Sequence, residues 1–60
     1  MKVKFERRRG KKTEITIETD NIPARGESVF VGEIEGSEVE SVKRYYGADR
    51  EIDVLVRVGK

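Results

Sequence analysis

At 60 residues the chain is at most one domain, and so short a chain buries only about 60% of its unfolded surface, so its stability margin is thin. Cysteine and histidine are absent, which excludes disulfides and removes the usual ligands of zinc and the commonest catalytic bases and nucleophiles. The net charge of +1 conceals a polarised chain: Met1 to Lys12 carries seven basic residues against Glu6, whereas Thr13 to Glu40 carries eight acids against Arg25.

The charges mostly occupy every second position, with β-branched or aromatic residues between them. That is the period of half-buried strands and not of disordered chain. The first strand runs over Met1 to Arg7, with Val3 and Phe5 on one face and Lys2, Lys4 and Glu6 on the other. Arg8 to Lys12, with Gly10 inside a basic cluster, reads as a hairpin turn. The return strand is Thr13 to Thr19, with Ile15 and Ile17 facing in. Asp20, Asn21 and Pro23 then break the pattern, since proline has no ladder donor and Asp and Asn favour turns. Gly26 marks a second turn and leaves Ile22 to plug one end of the core.

Ser28 to Ile34 is the third strand; Val29 and Val31 share a face and Phe30 lies on the other. Glu35-Gly36-Ser37 reads as a tight turn into a fourth strand, Glu38 to Tyr46. Val39 and Val42 have opposite parity there, so both face inward only if a β-bulge inserts a residue at Glu40 or Ser41. Gly47, Ala48 and Asp49 turn the chain into the last strand, Glu51 to Val58, with Ile52, Val54, Val56 and Val58 inward and Leu55 on the polar face. The expected fold is all-β: a five-stranded antiparallel meander curled into a small, partly open barrel of the Src-homology-3-like or OB-like kind, spanning residues 1–60. No stretch reads as a helix or an internal repeat, and no apolar run approaches the ~20 residues of a membrane span. No signal peptide is visible at the alternating N-terminus, so the expected location is cytoplasmic, or the host cytoplasm if the source is viral.

Chemistry follows from what the inward and outward positions carry. The carboxylates fall at outward, solvated positions; Ser28, Ser37 and Ser41 have no base partner; and the scattered glycines form no phosphate loop. The expectation is a protein that is not an enzyme, with no catalytic or metal-binding residues, no cofactor, no small-molecule substrate and no membrane partner. Two binding classes remain. In the first, Phe30 and Leu55, apolar residues on the polar side of a core-poor chain, contact a protein partner or another copy. In the second, Arg7, Arg8, Arg9, Lys11 and Lys12 grip nucleic-acid phosphates while Tyr45 or Tyr46 stacks on bases. Each has a plainer counterpart: a solubilising loop, aromatics that cover the core, and an acidic stretch (Glu33, Glu35, Glu38, Glu40) that is simply solvated.

The segment from Val3-Lys4-Phe5 through the basic glycine turn to Glu14-Ile15 resembles the opening hairpin of the small crenarchaeal chromatin proteins. The likeness covers about a quarter of the chain and implies a barrel-like sheet; in that family such a sheet binds duplex DNA. The chain lacks that family's central tryptophan, C-terminal helix and strongly basic charge, so only the fold is carried over. The overall pattern also resembles small proteins of prokaryotes and their viruses, which implies an accessory or inhibitor role for a virus or mobile element. The Lys-, Glu- and Val-rich composition equally suits a thermophile or a designed chain.

Overall fold

The structure, a computed structural model, describes residues 1–8 and 10–59. Its five strands are β1 (Lys2–Arg7), β2 (Thr13–Glu18), β3 (Ser28–Val31), β4 (Ile34–Arg44) and β5 (Val54–Gly59). They form one sheet in the order β2-β1-β5-β4-β3, curled through 239° into an open half-barrel. The all-β, five-stranded, partly open architecture is the expected one. The order is not that of a simple meander, because β5 enters between β1 and β4 and runs parallel to β1. A physical reason lies in the joins. Tight turns tie β1 to β2 and β3 to β4, but the proline-containing stretch between β2 and β3 makes no hairpin, so those two strands become the edges. The most apolar strand then takes the centre.

Val54, Val56 and Val58 of β5 face the interior with Val3 and Phe5 of β1, and Val29, Ile34 and Val39 complete the buried core. Branched side chains suit this pleated interior because their restricted rotamers lose little freedom there. Ile15, Ile17, Ile22, Val31 and Val42 pack against the core but stay half-buried. For Ile15 and Ile17 the cause is their place on an edge strand, with no neighbour on one side.

β4 is the strand that bends the sheet. Its first part pairs with β3 and its second part with β5, and it carries a bulge in each. The second bulge sits at Glu40, between the Val39–Val58 and Ser41–Arg57 pairs, and turns both Val39 and Val42 inward as the parity requires. The first overturns one expectation. Glu35-Gly36-Ser37 is not the turn; Gly36, at φ +75°, is the extra residue opposite the Val29–Phe30 step. The chain reverses earlier, at Gly32-Glu33, so β3 stops at Val31. Gly32 at φ +52° supplies the first central position of a two-residue hairpin turn, where a type II′ geometry calls for glycine.

The last strand also starts later than the alternation implies. Ile52 is not a core residue; it is half-buried on the outer face, over Lys2, Lys4 and Thr16. Asp53 is responsible. Its carboxylate accepts the Lys2 amide N–H at 2.7 Å and the Arg50 Nε–H at 2.7 Å, which ties the incoming chain to the start of β1 before pairing begins at Val54. The Lys2 hydrogen bond, then the Arg50 hydrogen bond, hold the Asp53 pKa below the ordinary carboxylate value. A lowered folded-state pKa contributes stability above the unfolded value of 3.8 and loses it as pH falls through the folded value. Asp53→Asn is therefore expected to melt at a lower temperature than the parent at neutral pH, with the two curves converging in acid. Thermal melts followed at stepped pH check this; a constant difference down to about pH 2.5 would contradict it.

Candidate partner-binding surfaces

A half-barrel leaves two unpaired edges, and here they face one another. β2 lines one side of the opening and β3 the other. Between them lies a slot of about 310 Å³, lined by Phe5 and Ile17 on the β1–β2 side, Val29, Phe30 and Val31 on the β3 side, and Pro23 at one end. The slot narrows where the β3–β4 turn meets β2. A methyl group on Gly32 would stand 3.0 Å from Ile15 Cδ1, and Lys11 Nζ reaches Glu33 Oε1 across the rim at 4.0 Å. Thr19, Asn21, Glu27 and Ser28 supply the slot's polar lining.

The backbone of β2 shows which groups are unused. The Thr19 N–H donates to the Met1 carbonyl at 2.8 Å, which sets the phase of the antiparallel ladder. Ile17 and Ile15 then exchange hydrogen bonds with Val3 and Phe5, and the N–H and C=O groups of Glu14, Thr16 and Glu18 point out of the sheet. β2 carries neither proline nor bulge, the two devices that usually blunt an edge. Apart from the β3–β4 turn that meets it at Ile15, its protection is charge. Glu14 meets Lys4 Nζ at 3.4 Å, and Glu18 meets the Met1 ammonium at 2.7 Å, both as exposed pairs of small energetic consequence.

Phe30 is 72% exposed, as its parity implies. Leu55 is less available. It is half-buried on β5, flanked across the outer face by Lys4 and Lys43. Phe30 pairs with Glu35 near one end of β4 and Leu55 with Lys43 near the other, so the two do not form one apolar patch.

The basic residues are similarly dispersed. Arg7 is half-buried and closes the hairpin, donating from Nε to the Lys11 carbonyl at 3.3 Å and from Nη2 to Thr13 Oγ1 at 3.2 Å. Lys11 faces Glu33. Arg8 and Lys12 are exposed, beside a hollow that also holds Glu6 and Glu14. Arg9 lies outside the described residues. Tyr45 and Tyr46, 40% and 86% exposed, follow the end of β4. The Tyr45 N–H donates to the Asp53 carbonyl, and the Asp53 N–H donates to that of Lys2, so the tyrosines sit at the start of β1, whereas the basic turn follows its end. Six strand residues, about 20 Å, separate the two.

Among the described residues no group of three or more acidic, cysteine or histidine side chains is arranged to hold a metal ion, and no helix is long and apolar enough to cross a membrane. The slot itself is not apparent from residue patterns. The one signal for it is the long, proline-containing join between β2 and β3, the join that makes no hairpin. Comparison of the chain with family models, with characterised proteins and with solved structures finds no match.

Proposed function

We propose that this is a non-catalytic binding module that acts through contact with a protein partner or with its own copies. The observation that carries this reading is the pair of unpaired edges beside a slot of mixed lining, in which Phe5, Ile17, Val29, Phe30 and Val31 adjoin Thr19, Asn21, Glu27 and Ser28. Strand addition to such an edge supplies affinity through main-chain hydrogen bonds and specificity through alternate side-chain pockets. A core of eight buried apolar residues among those described leaves little margin, so covering Ile15, Ile17, Val31 and Phe30 also stabilises the domain. Sedimentation velocity at several concentrations, alone and on protein isolated from its natural source, tests the reading. The expected result is a complex larger than the monomer; a strict monomer with no co-isolating protein overturns it.

Nucleic-acid binding through Arg7, Arg8, Arg9, Lys11 and Lys12 is the alternative. The exposure of Arg8 and Lys12 favours it, while the internal use of Arg7 and the separation of the turn from Tyr45 and Tyr46 weigh against it. Under the protein-partner reading, a mobility-shift titration shows no shift even at ~50 mM salt, where phosphate contacts are strongest. A shift that weakens steeply with salt, and that Arg8→Ala with Lys12→Ala reduces on all sequences alike, would favour the alternative instead.

A further inference from the structure

Resting on the protein-partner reading, we infer that the slot takes one extended, basic segment of a partner protein, alternating with apolar residues and hydrogen-bonded to the outer edge of β2 as a sixth strand. The size of the opening sets the number of strands. Five strands make four steps over 239°, about 60° each, and the remaining 121° is two further steps, the room of one strand between β2 and β3. The edge supplies the bonds, because Glu14, Thr16 and Glu18 point their N–H and C=O groups into that space. Successive residues of an added strand face opposite sides. Every second side chain therefore enters the slot beside Ile17, Val29 and Val31, and the others stand outside, in line with Glu14 and Glu18.

Charge selects the occupant. The two edge strands that bound the slot come from the acidic part of the chain, and Glu27 lines the slot itself. Glu27 and Glu33 lie at the two ends of β3, and Glu14 and Glu18 lie along β2. A basic strand meets this field favourably and an acidic one does not. The other side of β2 already accepts such a sequence: in β1, Val3 and Phe5 oppose Ile17 and Ile15, while Lys4 reaches Glu14. A second copy fits less well. Pairing two β2 strands antiparallel about Thr16 sets Glu14 against Glu18 at both ends, and like charges directly opposite are destabilising. β3 offers only four residues of edge.

The test uses the intact protein and capped peptides of about seven residues: alternating lysine and valine, the same composition in blocks, and alternating glutamate and valine. Binding is followed by fluorescence anisotropy and by amide hydrogen exchange. The alternating basic peptide is expected to bind at least about tenfold more tightly than either control, with affinity falling as salt rises. It should newly protect the Glu14, Thr16 and Glu18 amides. Thr16→Pro removes one outward donor without touching the β1 ladder, and should weaken binding about tenfold while the Ile15 and Ile17 amides keep their protection. Glu14→Lys with Glu18→Lys should weaken it similarly and reverse the salt dependence. Equal binding of the acidic peptide, protection confined to other strands, or full affinity in Thr16→Pro overturns the inference. So does failure of the basic peptide to bind a protein that sedimentation shows to form a complex. If sedimentation finds no complex and no peptide binds, the partner-binding reading falls as well.

Discussion

Val56→Asp is expected to abolish the folded state. Val56 is fully buried on the central strand, opposite Phe5 of β1 and Val42 of β4. Lys4 and Lys43 lie on the outer face, and the two arginines of inward parity, Arg7 and Arg44, stand at strand ends opposite Val58 and Val54, with Arg7 already bonded to the Lys11 carbonyl and Thr13 Oγ1, so a carboxylate at this position has no cation directly opposite it. Burying an uncompensated charge costs several kcal/mol even after relaxation. Folded domains gain only ~0.05–0.15 kcal/mol per residue, or roughly 3–9 kcal/mol for a chain this long. The penalty is of the size of the whole margin. Two companions separate charge from size. Val56→Thr keeps the shape and adds a hydroxyl, costing ~1–3 kcal/mol. Val56→Ala leaves a small cavity and costs ~2 kcal/mol. Circular dichroism with urea titration should show two stable variants with lowered midpoints and one unfolded chain. A cooperative transition in Val56→Asp near that of the parent would refute this account of the core.

The faces of the strands are legible in the alternation alone. Val3, Phe5, Val29, Val54, Val56 and Val58 are inward, and the parity conflict between Val39 and Val42 locates the Glu40 bulge. Periodicity fails where backbone geometry and not burial decides. Gly32 and Gly36 both adopt positive φ, and each adjoins a glutamate within the same alternating stretch, so the pattern alone does not tell which makes the turn and which the bulge. Ile52 continues the parity of Val54 and Val56, yet Asp53 binds the Lys2 amide and Arg50 and ends the strand. Strand order is a non-local property; the parallel contact of β1 with β5 leaves no mark on either strand's own residues.

The candidate surfaces are legible to a lesser degree. Parity marks Phe30, and it is exposed beside the slot. Leu55 carries the same mark, but it is half-buried, with Lys4 and Lys43 opposite it on the two neighbouring strands. The segregation of charge is plain in the sequence. Its meaning depends on topology, because only the strand order shows that β2 and β3, both from the acidic part of the chain, are the two edges of one opening.

Gly32→Val is expected to be the most damaging change at the rim. At φ +52° a β-branched residue is strained by ~1–3 kcal/mol. Its Cβ would also stand 3.0 Å from Ile15 Cδ1, already tight before the two further methyl groups are added. Crowding of this kind costs another ~1–3 kcal/mol unless the strands separate. Gly10 provides the control. It too has positive φ, +64°, but a side chain there meets nothing within 4 Å, so Gly10→Ala pays for backbone alone. The difference between Gly32→Ala and Gly10→Ala in urea titrations therefore measures the contact that holds the β3–β4 turn against β2. Equal losses would mean that the turn does not rest on Ile15 and that the slot is open along its whole length. A larger loss at Gly32, partly restored by combining it with Ile15→Val, would show that this packing sets the width of the slot. Gly32 against Ile15 would then be the contact that bounds the slot at the end of the β3–β4 turn.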